Sequence, residues 1–263
     1  MAAKEISMRR LLVPLDGSDR GDQILSFLDR MLPELRAQEL VLLRVLAEGE
    51  HVEAASARLG ETTRRARASG LLATPLVVVG GSPAGEVLKI AGLIRPSLVA
   101  VSTHGAGQSR ESRGSVAAQV IEGCPAPLLV VGRQALPIDP GPGLSRVLVA
   151  IDGSRAADTV LPLVGELARP SDAEVLLLTV TPEGADDATD LEVARAKLLQ
   201  AGVDRVRVLR AKGDVAEALL EATRREAVDL LAMGARGKTG GAGLGSVARA
   251  VAQRCDCPLL LAR

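Results

Sequence analysis

One apolar run ending in an acidic turn occurs twice in this chain, and that repetition restricts it to two copies of one fold. Leu11-Leu12-Val13-Pro14-Leu15-Asp16-Gly17-Ser18 returns as Val147-Leu148-Val149-Ala150-Ile151-Asp152-Gly153-Ser154. Asp16 and Asp152 stand 136 residues apart (152 − 16). Gly114-Ser115-Val116 matches Gly245-Ser246-Val247, Cys124 matches Cys255, and Pro127-Leu128-Leu129 matches Pro258-Leu259-Leu260, each at an offset of 131. A period this long is a duplicated domain, far longer than a solenoid repeat. The expected domains are residues 1–132 and 146–263. The linker, 133–145, carries Pro137, Pro140, Gly141, Pro142 and Gly143, a composition that neither helix nor strand tolerates and that is stiffer than a Gly/Ser tether.

Each half alternates short apolar runs with amphipathic stretches. The runs are Leu11–Leu15, Leu40–Leu46, Leu76–Val79, Leu98–Val101 and Leu128–Val131, then Val147–Ile151, Val175–Val180, Val206–Leu209, Leu230–Met233 and Leu259–Leu261. Unbroken aliphatic runs of this length predict strands covered on both faces. Between them, Val160, Leu163, Val164 and Leu167 fall at helical spacing, as do Val215, Ala218, Leu219 and Ala222. Ile24, Leu28 and Met31 form the matching stripe of the first helix, which is expected to stop near Pro33. Ser18 and Ser154 sit where helix N-caps belong. The pattern predicts an α/β fold: two tandem doubly wound domains, each a five-stranded parallel sheet with helices on both faces and right-handed crossovers.

Composition narrows the function. Lys plus Arg and Asp plus Glu both total 32, so no net charge pulls the chain toward nucleic acid or an anionic membrane. Phe27 is the single aromatic residue, which leaves no stacking surface for single-stranded bases. No apolar run reaches membrane-spanning length. Residues 1–10 carry no apolar signal core, and three cysteines suit a reducing compartment, so a cytoplasmic location is expected. Cys255-Asp256-Cys257 suggests a metal or redox pair, yet its spacing is one residue short of the usual motif and only one of the two cysteines has a counterpart, Cys124, so the pair reads as structural thiols.

In doubly wound sheets ligands gather beyond the carboxyl ends of the strands. Three places in each half lie there: Asp16 or Asp152 after strand one, Val45 or Val180 at the end of strand two, and the long loop after strand four. Those loops, Ser102–Ser115 and Gly234–Ser246, are rich in glycine and hydroxyls and open a helix at Gly-Ser. Unpaired amides at a helix start bind anions, and glycines let backbone approach phosphate oxygens. An Asp on the facing strand can accept hydrogen bonds from a ribose. Together these point to a nucleotide. The competing reading of the aspartates is a turn carboxylate that caps the next helix. His104 has no partner spaced to activate it, and Arg110, Arg113, Arg236 and Lys238 read as loop cations, some of them on phosphate. The helix expected over Glu50–Ser69, with Arg58, Arg64, Arg65 and Arg67, reads as a solvated outer face, a partner surface being the alternative; His51 within it is assigned no role.

These motifs, in order and twice, resemble the universal stress protein family over nearly the whole chain. The carrying residues are Val13–Ser18, the Ser102-Thr103-His104-Gly105 turn, Gly114-Ser115-Val116, Cys124 and Pro127–Val131, with Ala150–Ser154, Met233–Gly237, Gly245–Val247 and Cys257–Leu261 in the second half. The resemblance implies a Rossmann-like fold and a pseudo-two-fold dimer of the two halves, paired through their last strands. Carried over by position, it implies nucleoside contacts at Asp16 and Asp152, a backbone contact at Val45 and Val180, and phosphate contacts at Gly105, Gly114 and Ser115 and at Gly234, Gly237, Gly245 and Ser246. The ATP-binding members resemble Gly, two residues, Gly, nine residues, Gly-Ser/Thr. Here Ser102 replaces the first Gly, eight residues separate Gly105 from Gly114, and seven separate Gly237 from Gly245. Ser102 is expected to obstruct a backbone approach or a positive φ, so the second half is favoured.

Two functions follow. The first is a stress-response sensor or regulator that binds ATP, with Mg, or a related adenine nucleotide in at least one half. No nucleophile, general base or metal cluster stands out, so hydrolysis is expected to be slow at most. The second is a tandem scaffold without nucleotide that acts through protein partners. An adenylating ligase is disfavoured, because neither the Ser-Gly-Gly-x-Asp-Ser nor the His-x-Gly-His pattern such enzymes resemble is present. The partner, the trigger and further self-association stay open.

Overall fold

The computed structural model describes residues 10–31, 39–103, 115–132, 143–184, 191–237 and 243–263. The chain divides into two compact units, 1–138 and 139–263. The first holds β1 (Arg10–Pro14), α1 (Asp19–Met31), β2 (Glu39–Leu46), α2 (Val52–Ala68), β3 (Leu72–Val79), α3 (Pro83–Ile94), β4 (Leu98–Ser102), α4 (Ser115–Gly123) and β5 (Leu128–Val131). The second repeats the order with β6 (Arg146–Ala150), α5 (Arg155–Ala168), β7 (Glu174–Thr181), α6 (Leu191–Gln200), β8 (Val206–Lys212), α7 (Val215–Arg225), β9 (Leu230–Gly234), α8 (Ser246–Arg254) and β10 (Leu259–Ala262).

Within the first unit the strands run β3-β2-β1-β4-β5, and within the second β8-β7-β6-β9-β10, all pairs parallel. Chain order steps outward from β1 to β3 and then returns to β4. Right-handed crossovers therefore place α1 and α2 on one face and α3 and α4 on the other. Packing of α3 on α4, of α5 on α6 and of α7 on α8 agrees.

The central strands are the core. Leu11, Leu12, Val13, Val147, Leu148 and Val149 are fully buried, each contributing about 1.5–3 kcal/mol of apolar burial. Ile24 and Leu28 of α1 and Val160, Leu163, Val164 and Leu167 of α5 are buried as their spacing predicts. Met31 ends α1, its side chain lying outside the described residues. The α7 stripe is rotated by a residue: Ala216, Leu219, Leu220, Ala222 and Thr223 are buried, whereas Val215 and Ala218 are only partly covered.

The third strand of each unit departs from the expectation. β3 begins at Leu72 and passes through Pro75, and β8 extends through Arg210 to Lys212. Both are edge strands within their unit, so one rim is open and their residues are mostly part-covered or exposed rather than a buried run. The linker's end is part of the second unit. Leu144 is buried, and Ser145 and Arg146 N–H donate to Asp229 Oδ2 at 2.7 and 2.8 Å. Residues 133–142 lie outside the described residues. Among the described residues, no helix is long and apolar enough to cross a membrane.

Candidate functional site

The two strand-one corners share a turn but use it differently. Gly17 and Gly153 both adopt φ +76°, which only glycine takes without strain. At the first corner the Ser18 N–H and hydroxyl both donate to Asp16 Oδ1, at 3.0 and 2.7 Å. The same hydroxyl oxygen accepts from Gly21 N–H at 2.9 Å, so Ser18 is the N-cap of α1. A β-carbon on Gly21 would lie 2.4 Å from Asp16 Oδ1. The Asp16 carboxylate thus rests against the first turn of α1, while Ser18 rather than Asp16 supplies the cap. Arg44, on β2, lies across Gly17 and pairs with Glu50 at 3.2 Å.

At the second corner Asp152 Oδ1 accepts from Ser154 N–H at 2.9 Å. Its other oxygen, Oδ2, receives no hydrogen bond from a described residue and faces the strand-four loop, 3.3 Å from where a Gly237 β-carbon would stand. The position matching Gly21 is Ala157, and the register matching Arg44 is a buried threonine, Thr179. Asp152 is exposed.

The loop after β9 is closed at its base. Ala235 N–H donates to Ala262 O at 2.7 Å, Gly245 N–H to Ala235 O at 2.9 Å, and Arg236 Nε to Gly243 O at 3.1 Å. Arg236 therefore ties the two arms of the loop together. A β-carbon on Gly245 would stand 3.7 Å from Gly237 N. Asp152, Gly237, Gly245 and Ser246 are thus brought to one place. Gly245 is the N-cap of α8 and offers no side-chain acceptor. By contrast, α1, α3 and α7 are capped by Ser18, Ser82 and Asp214. Among the described residues no side chain caps the first N–H groups of α8, which lie at the positive end of the helix dipole.

Strand two supplies the third element. Leu15 N–H donates to Leu43 O and Ile151 N–H to Leu178 O, at 2.8 and 2.9 Å. Alternate residues of a parallel strand bond to alternate neighbours, so Val45 and Val180 turn their amide and carbonyl the same way. β1 and β6 have ended at that level. Those backbone groups face an open notch beside each corner.

In the first unit His104, Gly105, Arg110, Arg113 and Gly114 lie outside the described residues, as does Lys238 in the second, and Ser115 is described only as the start of α4. Ser102 pairs with Val131 as Gly234 pairs with Ala262. Neither Ser102 nor Gly234 has positive φ, so the serine brings no backbone strain, contrary to one half of the expectation.

The arginine face of α2 is also not simply solvated. Arg58 pairs with Asp19 and, at 3.5 Å, with Asp22; Arg65 reaches Asp22 at 3.3 Å; Thr62 donates to Asp22 Oδ2 at 2.8 Å. Arg67 Nε donates to Ala73 O at 2.7 Å. Beneath lies a crevice of about 120 Å³ lined by Asp16, Asp22, Arg44, Arg58 and Thr62 among others. Its arginines already have carboxylate partners. The Arg58 guanidinium holds the Asp19 carboxyl below the usual range. His51 is the N-cap residue of α2 rather than a helix residue, and its side chain makes no cap bond.

Comparison with known proteins adds the following. The model of the universal stress protein family matches residues 8–132 and again 143–263. A universal stress protein from Archaeoglobus fulgidus DSM 4304 is similar over 98% of this chain and 99% of its own, at 23% identity and TM-score 0.78. A putative universal stress protein from Pseudomonas aeruginosa UCBPP-PA14 covers 99% of this chain and 95% of its own, at 14% identity and TM-score 0.66. A universal stress protein in complex with cAMP is 30% identical over 46% of this chain and 97% of its own, at TM-score 0.39. No curated relative matches.

Proposed function

This chain belongs to the universal stress protein family, as two copies in tandem, and on that premise we propose that its second unit binds an adenine nucleotide. The single observation that carries the reading is the meeting of an Asp152 oxygen, unpartnered among the described residues, with a glycine-lined helix start whose N-cap residue has no side chain to cap it. Asp152 Oδ2 accepts from the ribose hydroxyls. The backbone of Val180 reads the edge of the base. Gly234 and Gly237 admit the nucleotide close to the main chain, and the amides of Gly245 and Ser246 take the phosphates. The ligand is ATP, with Mg²⁺ carried on its phosphates, or a related adenine nucleotide. Among the described residues no group of His, Cys, Asp and Glu offers a separate metal site. The role read here is binding, with slow turnover at most. In the stress response the chain acts as a sensor or regulator whose ligand-bound state is read by a partner.

The first unit favours the scaffold reading. Asp16 Oδ1 is taken by both donors of Ser18, and Arg44 crosses the corner. A nucleotide there has to displace groups already satisfied.

Calorimetric titration of the nucleotide-stripped full chain with Mg-ATP tests this, with ADP, AMP and cAMP as further ligands. Saturation near one equivalent is expected. A flat titration with all four overturns the nucleotide reading and leaves the scaffold. Two equivalents of similar affinity overturn the asymmetry.

A further inference from the structure

Two cysteines of the second unit lie outside the nucleotide reading. Cys255 closes α8, its N–H donating to Val251 O at 2.8 Å. Cys257 follows two residues on, just before Pro258 and β10. Side chains two apart on an extended chain share a face without touching; here a bend at Asp256 and Cys257 brings the two sulfurs to 3.4 Å. Cys257 is buried and Cys255 half-buried. The first unit has Cys124 at one of these positions and Ala126 at the other, so only the second copy holds a pair.

A disulfide needs about 2.05 Å between sulfurs, so the pair has about 1.4 Å to close. That distance lies within a side-chain rotation. The thiolate is the reactive form of cysteine. The two sulfurs share that hydrogen bond, which brings the Cys255 thiol below its ordinary value. The same bond, together with burial, pushes Cys257 up. The reachable sulfur is therefore also the readily ionised one, and the covered sulfur keeps its proton.

We propose that Cys255 and Cys257 form a redox-active dithiol site that takes a small hydroperoxide as its oxidant. The Cys255 thiolate bonds to one peroxide oxygen, the O–O bond breaks, and the other oxygen leaves with a proton as water or alcohol. Cys255 is then a sulfenic acid. The Cys257 sulfur displaces its hydroxyl, the S–S bond forms, and the hydroxyl leaves as water with the Cys257 proton. Two electrons pass from the thiol pair to the peroxide. A dithiol reductant reverses the bridge by exchange.

The test treats the reduced full chain with hydrogen peroxide and counts free thiols in denaturant. Trypsin cuts after Arg254, and one peptide, 255–263, carries both sulfurs. The count falls from three to one, the 255–263 peptide loses two hydrogens, and dithiothreitol restores both. Cys124→Ser leaves the bridge unchanged. Cys257→Ser stops at a Cys255 sulfenic acid that dimedone traps, and Cys255→Ser gives no bridge. The proposal is overturned if the wild-type chain retains all three thiols, if Cys124 enters the disulfide, or if the bridge joins two chains.

Discussion

The Asp16 carboxylate stands where a methyl group on Gly21 would stand, with its Oδ1 2.4 Å from that β-carbon position. One corner of the fold is therefore closed over itself by a residue that looks like a spacer. Gly21→Ala forces the carboxylate away from Ser18. The lost hydrogen bonds cost about 1–2 kcal/mol, and the better helix residue returns somewhat less than about 1 kcal/mol. A net loss of about 1 kcal/mol in a denaturant titration is the expected result. An unchanged or raised midpoint contradicts the packing described.

The matching substitution tests the second corner through its ligand. Asp152→Ala is expected to weaken Mg-ATP at least tenfold, about 1.4 kcal/mol, with little change in melting temperature because Asp152 is exposed. Asp16→Ala is expected to leave Mg-ATP affinity alone and to lower stability instead. Calorimetry and thermal melts on both variants give the comparison. The opposite pattern assigns the nucleotide to the first unit.

Gly245 separates stability from binding. Its φ is −64°, and its β-carbon would meet only ordinary contacts, so side chains fit there. Gly245→Asp supplies α8 with the acceptor it lacks and is expected to raise stability by a few tenths of a kcal/mol. The same carboxylate repels phosphate and occupies its amides, so Mg-ATP affinity falls more than tenfold. A variant that is more stable and still binds ATP normally removes the α8 start from the site.

The ion pair between Glu217 of α7 and Arg254 of α8, with one contact at 2.9 Å, sets a pH dependence. The hydrogen bond from Arg254 holds the Glu217 carboxyl below its ordinary value. A carboxyl with a lowered pKa in the folded chain stabilises it above the unfolded value, and that contribution fades as pH falls through the folded one. Both groups are exposed, so the effect is small and screened by salt. Melting temperatures of Glu217→Gln and the parent are expected to differ at pH 7 in low salt and to converge below about pH 4. A gap that persists in acid rules out the ion pair as its source.

The order of strands and helices was legible because central strands are aliphatic throughout and α5 keeps its stripe at Val160, Leu163, Val164 and Leu167. Edge strands broke that rule. Pro75 in β3 and Arg207 and Arg210 in β8 are admitted because one rim faces solvent. The arginines of α2 read as solvated because the pattern of one helix does not show the acids of its neighbour, Asp19 and Asp22. The motif Asp-Gly-Ser marked both corners, yet it reads identically in the two halves. Their difference lies in Gly21 against Ala157 and Arg44 against Thr179, positions whose meaning depends on which side chain the turn brings over them.

The closed corner at Asp16 has a practical consequence for any study of this molecule. A single chain carries a sample and its blank. Salt, temperature or a change of solvent acts on the same strand-end turn in both units, whereas an added nucleotide is expected to act on one. Amide signals from Gly17 and Gly153, two glycines with the same backbone angle, read the two channels side by side in one tube, at one concentration.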